Sequence, residues 1–380
     1  MSLPDGRIDM ASAVSDALAS FASAAHTGPS LPPQQVAFDA RTFRFVDLFA
    51  GIGGLRLGLE RAGGRCVYSV EIDRHAQATY SMNFGPVDEP DVRTVDPGSL
   101  PQYDVLAAGF PCQPFSLAGV SKKASLGRQH GFADVVSGNL FFEIARIAEA
   151  TRPPVLFLEN VKNLRSHDRG NTFKVILGEL DRLGYEIAND VVDAAHWVPQ
   201  HRERTFMIGL HRDTFGGQRF VFPPIPTGPR PILRDVLDSW YDRKYVLTPN
   251  LWEYLQAYAK KHRDAGHGFG FSLVGGNDVA RTLSARYYKD GSEILVDTAG
   301  RRPRRLTPVE CARLMGFEDP RHVSPDEQVV RDPHRAFLIP VSDTQAYRQF
   351  GNSVVVPVVR HLAEALAEQI HLNVALAEAS

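Results

Sequence analysis

From residue 43 to residue 210 the chain alternates short apolar runs with longer stretches whose apolar positions recur at helical spacing. Runs of this kind are typical of buried strands, and the intervening stretches are long enough for helices that connect parallel strands. The predicted strands are Phe43–Phe49, Val67–Val70, Val105–Ala108, Val155–Glu159 and Thr205–Leu210. The pattern therefore predicts an α/β fold built on a parallel sheet with crossover helices.

A Pro/Gly-rich passage from Phe215 to Pro231 interrupts this pattern, because it cannot continue regular structure. We place a domain boundary near its start, with a larger domain over residues 41–213 and a smaller, less periodic one over residues 214–340. Val354–Ala375 has the spacing of a closing helix, so residues 341–380 are expected to complete the larger domain. Residues 1–40, rich in Ala, Ser and Pro, are predicted to be a disordered tail.

Composition narrows the class of protein. The 380 residues are 43% apolar, which suffices for two domains, and the formal net charge of −2 argues against wholesale coating of nucleic acid but allows a local basic face. Three cysteines cannot make a disulfide framework, which favours a reducing, cytoplasmic compartment. Apolar runs stay shorter than a membrane span and the N-terminus lacks the order of a signal peptide, so we expect a soluble protein without a membrane partner.

One cysteine follows an apolar strand inside a proline-rich loop, Gly109-Phe110-Pro111-Cys112-Gln113-Pro114. Prolines stiffen the loop, and N–H groups of a following helix-like segment would lower the thiol pKa and raise the thiolate fraction. Cys112 is therefore a candidate nucleophile, although a small buried apolar role stays open. Cys66 and Cys311 lack this context and are predicted to serve packing. No metal site is predicted, because no ligand spacing links His167, His196 and His201.

Glycines and carboxylates mark the ends of the first predicted strands. Gly51-Ile52-Gly53-Gly54 separates the first strand from a helix, and glycines there let a ligand approach the backbone, although many such turns are only tight turns. Glu71 ends the next strand about 20 residues further on, where a carboxylate can bind the two hydroxyls of a ribose. Asp91 and Val92, at the expected end of the third strand, are placed to meet an adenine amine.

Two later segments carry candidate acid and cation groups. Glu159 ends an apolar strand, and partial burial there would raise its pKa enough to hold a proton. Gln200, Arg202 and Arg204 fall on one face by the two-residue alternation of extended chain. An exposed edge with salt bridges would give the same triplet, but beside a cysteine loop and a lone glutamate it favours a clamp for an anion or a carbonyl.

The order of these motifs resembles that of the cytosine-5 DNA methyltransferases, most closely the Dcm-type enzymes. The resemblance runs from Phe43 to the C-terminal helix. It rests on FAGIGG at 49–54, Glu71, GFPCQPFS at 109–116, LENV at 158–161, QHRER at 200–204 and GNSV at 351–354. It implies a Rossmann-like S-adenosylmethionine-dependent methyltransferase domain with a smaller target-recognition domain.

The resemblance also implies roles for individual residues. Cys112 would attack carbon 6 of a cytosine flipped out of duplex DNA, Glu159 would hydrogen-bond or protonate ring nitrogen 3, and Arg204, helped by Arg202, would hold the base carbonyl. Carbon 5 would then accept a methyl group from S-adenosylmethionine. The implied cofactor contacts are Phe49, Gly51, Gly53, Glu71, Ile72, Asp91, Val92, Gly109, Asn352, Ser353 and Val354.

Double-stranded DNA is the partner that the resemblance implies. Residues 121–131 resemble the mobile catalytic loop of the family, and residues 281–291 combine basic, hydroxyl and aromatic groups suited to reading base edges. The predicted DNA contacts are Ser116, Lys122, Arg128, Gln200, Arg281, Arg286, Tyr287, Lys289 and Arg304. The segment 281–291 resembles enzymes that methylate the inner cytosine of CCWGG, where W is A or T, or of the wider CCNGG.

Two other functions stay open at this point. A tRNA cytosine-5 methyltransferase uses nearly the same core with a shorter recognition segment, and a non-catalytic DNA-binding paralogue would usually have lost the cysteine or the glutamate. We expect a monomer, with a cognate restriction endonuclease or a mismatch endonuclease as a candidate partner.

Overall fold

The computed structural model of the protein describes residues 42–111, 140–267, 270–318, 320–323 and 336–378, with side chains to His371. A six-stranded sheet lies at the centre of the molecule, in the order β2-β1-β3-β4-β6-β5. Its strands are β1 Phe43–Leu48, β2 Gly64–Val70, β3 Val105–Gly109, β4 Val155–Val161, β5 Tyr185–Asp193 and β6 Glu203–His211. Two-residue strands pair separately, β7 Leu273–Val274 with β8 Leu295–Val296 and β9 Arg321–His322 with β10 Leu338–Ile339.

Helices cover both faces of the sheet. The α-helices are α1 Gly54–Arg61, α2 Arg74–Phe84, α3 Leu140–Thr151, α4 Asn171–Arg182, α5 Arg212–Phe215, α6 Pro249–Asp264, α7 Pro308–Leu314, α8 Asp343–Asn352 and α9 Val356–Glu378. Short 3₁₀ turns occupy Val92–Thr94, Pro97–Ser99, Lys162–Arg165, His167–Gly170, Ala194–His196, Leu233–Val236 and Arg243–Tyr245. The predicted α/β class is confirmed, and the predicted closing helix corresponds to α9.

The sheet is mixed, whereas the sequence pattern predicted a parallel one. Strands β2, β1, β3 and β4 are parallel to their neighbours, but β6 pairs antiparallel with both β4 and β5. The prediction missed β5, whose connection to β6 over residues 194–202 is too short for a crossover helix and so turns the chain back antiparallel. As a consequence, β6 begins at the edge where β4 ends, with Arg204 opposite Val161.

The strand order reverses at β1, since the chain passes from β1 outward to β2 and then returns to the other side of β1 as β3. In open α/β sheets ligands bind beyond the carboxyl ends of the strands at such a reversal. Phe49, Glu71 and Phe110 directly follow the carboxyl ends of β1, β2 and β3. The topology therefore brings the glycine turn, the Glu71 carboxylate and the chain leading to Cys112 to one edge.

Two apolar cores lie on opposite sides of the sheet. Val46, Leu48, α3 and α4 contribute to one core. Phe43 and Phe45 belong to the other, which continues through α1 and α9 into apolar residues between Leu233 and Phe317. This second core includes residues on both sides of position 214, where the domain boundary stays a prediction, and a small cluster of Leu247, Leu255 and Leu295 lies apart. The predicted tail, residues 1–40, lies outside the described residues.

Candidate active site

A cleft of about 570 Å³ opens at the carboxyl edge of β1 to β4. Its walls come from the ends of these strands, from residues 282–285 and from one side of α8. A volume of this size falls in the range of pockets that enclose a small molecule. Several of the predicted cofactor and catalytic residues line this cleft.

The glycine turn after β1 forms one wall of the cleft. Phe49, Gly51 and Gly53 have φ values of 59°, 57° and 85°. A Cβ on Gly53 would lie 2.2 Å from the ring of Phe84, and one on Gly54 would lie 2.6 Å from the hydroxyl of Ser353. Left-handed backbone and these close approaches explain why glycine recurs here. Phe49, Gly51 and Gly54 line the cleft, whereas Gly53 shapes the turn behind them.

Glu71 lies in the cleft as predicted for a ribose-binding carboxylate. Its Oε2 accepts from the N–H of Gly51 at 2.8 Å and its Oε1 from the N–H of Asp73 at 2.7 Å. Burial raises the pKa of Glu71, and these backbone hydrogen bonds oppose the shift. Each carboxylate oxygen keeps a second lone pair, so the group can still accept from ligand hydroxyls. Ile72 is 64% exposed beside it and offers an apolar contact at the cleft wall.

The structure does not bring Asp91 and Val92 to this wall. Asp91 caps the 3₁₀ turn Val92–Thr94 and pairs with Arg93 at 2.6 Å, which lowers the pKa of Asp91. Val92 is buried in the core on the α3 side of the sheet. The prediction of an adenine contact assumed that a third strand ends here, but the third strand is β3, which begins only at Val105.

Glu159 and Arg204, which both line the cleft, form an ion pair. Nε of Arg204 lies 3.1 Å from Oε1 of Glu159, and Glu159 is only 7% exposed. Burial raises the pKa of Glu159, and the arginines at 204 and 202 oppose the shift. The pair arises from sheet register, because Arg204 on β6 stands opposite Val161, two residues beyond Glu159 on the same strand face.

The chain that leads to Cys112 runs beside Glu159. Gly109 pairs with Glu159 in the sheet, and Asn160 donates through Nδ2 to the carbonyl of Phe110 at 2.8 Å. Phe110 and Pro111 line the cleft, while Cys112, the next residue, lies outside the described residues. The Asn160 bond is a positioning contact that the sequence reasoning missed, although Asn160 directly follows the predicted acid.

Arg202 lies inside the protein and not in the cleft, which corrects its predicted place in a substrate clamp. It is 1% exposed, and its guanidinium donates to the carbonyls of Leu283 at 2.7 Å, Gly351 at 2.9 Å and Ser353 at 2.6 Å. Two-residue alternation puts the side chains of Arg202 and Arg204 on the same face of the chain. Arg204 lines the cleft, whereas the guanidinium of Arg202 is bound by three backbone carbonyls and does not line it. It therefore ties the segment around Leu283 to the end of α8.

Gln200, Tyr287 and Arg304 have internal partners as well, so the prediction that they contact DNA is replaced by structural roles. Gln200 accepts from the N–H of Leu283 at 2.7 Å, and Tyr287 donates to the carbonyl of Ile294 at 2.7 Å. Arg304 is 2% exposed and forms a two-bond pair with Glu310 at 2.7 and 2.8 Å. Residue type alone does not distinguish a basic or aromatic side chain that contacts DNA from one that holds a buried loop in place through internal hydrogen bonds.

Arg281, Arg286 and Lys289 are exposed, and across the described ranges their charged groups make no hydrogen bond or ion pair with the protein. They remain predicted DNA contacts. Ser116, Lys122 and Arg128 fall outside the described residues. Asn352, Ser353 and Val354, which are predicted cofactor contacts at and after the end of α8, line the cleft. Gln345, Arg348 and Gln349 line it too and were not predicted; their spacing before the GNSV segment was the available signal.

The remaining cysteines fit packing roles. Burial raises the pKa of Cys66 to about 12 and raises that of Cys311 as well, so both stay thiols at neutral pH. Among the described residues, no group of three or more His, Cys, Asp and Glu side chains could hold a metal ion. In the same part of the chain, no helix is long and apolar enough to span a membrane.

Comparisons with known proteins agree with this geometry. The profile of the family described as C-5 cytosine-specific DNA methylase matches residues 43–368. The chain is 46% identical to the DNA-cytosine methyltransferase of Escherichia coli K12, over 93% of this chain and 83% of the relative. It is 44% identical to the Type II methyltransferase M.DsaV of Dactylococcopsis salina, over 88% and 89%. A solved DNMT2 variant of Spodoptera frugiperda shares the fold, with a TM-score of 0.64 at 18% identity over 85% of this chain and 99% of that one.

Proposed function

Because the chain belongs to the C-5 cytosine-specific DNA methylase family, we propose that it methylates the inner cytosine of a CCWGG or CCNGG site through a covalent adduct with Cys112. The general activity follows from membership of this family: the protein is a DNA cytosine-5 methyltransferase that uses S-adenosylmethionine. The observation that carries the proposed mechanism is the buried pair of Glu159 and Arg204 beside the strand that leads to Cys112.

The residues of the cleft fit S-adenosylmethionine. When bound, this cofactor supplies an electrophilic methyl group on a sulfonium. Glu71 would accept hydrogen bonds from the ribose hydroxyls, because each of its oxygens accepts one backbone N–H, Oε2 from Gly51 and Oε1 from Asp73, and retains acceptor capacity. Ile72 and Phe49 offer apolar contacts at the cleft wall. The end of α8, held through the carbonyls of Gly351 and Ser353, closes the same pocket.

The target base would enter the cleft after it leaves the duplex, since ring carbons within a base stack are out of reach. The Cys112 thiolate adds to carbon 6, and Glu159 donates a hydrogen bond or proton to nitrogen 3, so that charge does not build up on the ring. Burial raises the pKa of Glu159 from its ordinary value, which favours the protonated form that can donate, while Arg204 opposes the shift. Arg204 pairs with Glu159 and would bind the base carbonyl.

Carbon 5 would thereby become nucleophilic enough to take the methyl group, as the bond from that methyl to the cofactor sulfur breaks and neutral S-adenosylhomocysteine is left. Loss of the proton from carbon 5 and departure of the Cys112 thiolate from carbon 6 restore the aromatic ring, so that 5-methylcytosine is released and the thiolate is regenerated. The chain thus needs a nucleophile, an acid and a carbonyl partner in one pocket. Glu159, Arg204 and the residue before Cys112 line the same cleft.

The proposed target site rests on residues 281–291 and their likeness to Dcm-type enzymes. The test is methyl transfer from labelled S-adenosylmethionine to duplexes containing CCAGG, CCGGG or neither, with bisulfite sequencing of each product. Modification of the inner cytosine in CCAGG alone would support CCWGG, and modification of both would support CCNGG. Modification of neither would overturn the proposed site while leaving the family activity to be tested on other sequences.

Cys112→Ser separates the mechanism from the site. A hydroxyl is a poor nucleophile at neutral pH, so we expect turnover to disappear while binding of the CCAGG duplex persists. Cys66→Ser is the matched control, since Cys66 lies outside the cleft and keeps its proton, and we expect it to retain activity. Full activity of Cys112→Ser would refute the covalent route. A cognate restriction endonuclease remains a proposed partner, in line with the Type II name of the relative from Dactylococcopsis salina.

A further inference from the structure

Arg348 is a cation of the cleft that the mechanism above does not use. It lies on α8 and lines the cleft, and its side chain is exposed. Over the ranges that the structure describes, its guanidinium has no hydrogen bond or ion pair with the protein. An unpaired guanidinium on a ligand-facing wall is available to an anion, since arginine carries its charge at every physiological pH.

The backbone beneath Arg348 is held in place from two sides, by α2 and by Arg202. Gln349 donates to the carbonyl of His75 at 2.8 Å and accepts from the hydroxyl of Thr79 at 3.0 Å, which fixes α8 against α2. Arg202 holds the carbonyls of Gly351 and Ser353 from below. A cation on a fixed helix is preorganised, because only its own side chain must be ordered when a ligand binds.

A second exposed arginine stands on the neighbouring element. Gly351 packs so closely on the backbone of Ser284 and Ala285 that an added Cβ would lie 2.3 Å from Ala285 N. Arg286 follows directly and is exposed. Arg286 therefore directly follows the seam between α8 and residues 284–285, and Arg348 lies three residues before Gly351 on the α8 side of that seam. The arginines deeper in the site are engaged elsewhere, Arg204 with Glu159 and Arg202 with three carbonyls.

Two anions can approach this wall in a DNA methyltransferase, the carboxylate of the cofactor and the phosphates of DNA. Exposure decides between them: a group that holds an enclosed cofactor would itself be covered, whereas the phosphodiester backbone stays at the mouth of the cleft when a base enters. We propose that Arg348 binds a DNA phosphate beside the extruded nucleotide. This inference rests on the proposed function and adds a contact on α8, outside the recognition segment 281–291.

The test compares Arg348→Gln with Arg360→Gln, two substitutions that remove the same charge. Arg360 is an exposed arginine on α9 that is paired with Glu364 and does not line the cleft. Binding of a fluorescent duplex containing CCAGG is measured at several salt concentrations with wild type and both variants. Affinity for S-adenosylmethionine is measured separately by calorimetry. Both readouts are binding constants and do not depend on turnover.

We expect Arg348→Gln to weaken duplex binding roughly tenfold at low salt and to reduce the slope of log affinity against log salt by about 0.9, the value for one phosphate contact. Arg360→Gln should keep the wild-type slope, and cofactor affinity should be unchanged in both. An unchanged slope in Arg348→Gln would overturn the inference, as would a loss of cofactor affinity alone. If the wild-type protein itself neither bound nor methylated the duplex, the proposed function would fail instead.

Discussion

Gly351→Ala tests whether the end of α8 and the recognition segment are in direct backbone contact. A Cβ at residue 351 would lie 2.3 Å from Ala285 N and 2.3 Å from the carbonyl carbon of Ser284. These neighbours are backbone atoms and cannot turn aside like the end of a flexible side chain. The helix and the segment must therefore separate by about 1 Å, since close-packed interiors leave no spare volume.

The cost can be worked out from the contacts that this shift disturbs. Overpacking of a core costs about 1–3 kcal/mol. Arg202 bridges the two sides through Leu283 and Gly351, at 2.7 and 2.9 Å, so separation also weakens a charge-assisted hydrogen bond worth about 1.5–3 kcal/mol. Alanine in a helix recovers about 1 kcal/mol relative to glycine. We expect a net loss of about 2–4 kcal/mol in the free energy of unfolding.

Gly178→Ala is the matched control. Gly178 lies in α4, and a Cβ there meets nothing within 4 Å. The same substitution should therefore stabilise by about 0.5–1 kcal/mol through helix propensity alone. Urea unfolding followed by circular dichroism measures both midpoints. If Gly351→Ala matched wild type or Gly178→Ala in stability, the close contact between α8 and residues 284–285, and the clamping role of Arg202 with it, would be refuted.

Three further outcomes follow from buried charges. Activity should fall as pH rises through the raised pKa of Glu159, because the carboxyl loses the proton it donates; Glu159→Gln should lower kcat about 10²-fold and flatten this limb in initial-rate measurements, and an unchanged limb would assign it to another group. Burial raises the pKa of Asp47 to about 8, so the folded protein binds the extra proton and the free energy of unfolding falls as pH rises from about 4 to about 8. Asp47→Asn should reduce this fall in urea midpoints taken across that range, since the raised pKa values of Glu71 and Glu159 contribute to it as well, and a fall of wild-type size would exclude Asp47 as a source. Arg304→Met should cost about 3–5 kcal/mol by leaving Glu310 buried and unpaired, with partial recovery when Glu310→Gln is added; additive losses would show that the pair is not coupled.

The sequence predicted those parts of the fold that depend on local pattern. Buried parallel strands are continuous apolar runs, so β1, β3 and β4 are recognisable, and Glu71 directly after β2 and Glu159 near the end of β4 mark the ligand edge. β5 was missed because Tyr185–Asp193 carries Glu186, Asn189 and Asp190 among its apolar positions and reads as no clear strand. With β5 unseen, the antiparallel direction of β6 was beyond reach.

The sequence predicted the positions of site residues that line the cleft, but not of those that bind backbone carbonyls from distant parts of the chain. Glu71 directly follows β2, Glu159 lies near the end of β4 and Arg204 near the start of β6, so all three line the cleft, while the roles predicted for them stay predictions. Arg202 belongs to the same motif, yet it serves carbonyls that are 81 and 149 residues away in the chain. No local spacing reveals such partners, because the fold alone brings them together.

These long-range partners explain why the cleft needs the far end of the chain. A Cβ on Gly58 of α1 would lie 2.4 Å from a side-chain carbon of Val359, so α1 and α9 are in direct contact through a position without a side chain. α1 begins at the glycine turn that forms one wall, and α9 follows the end of α8 that forms another. Both walls are thus anchored to one helix pair, and Arg202 ties the α8 wall to Leu283. Any change that loosens the α1 and α9 contact should therefore alter cofactor binding and DNA binding together, although Gly58 and Val359 do not line the cleft.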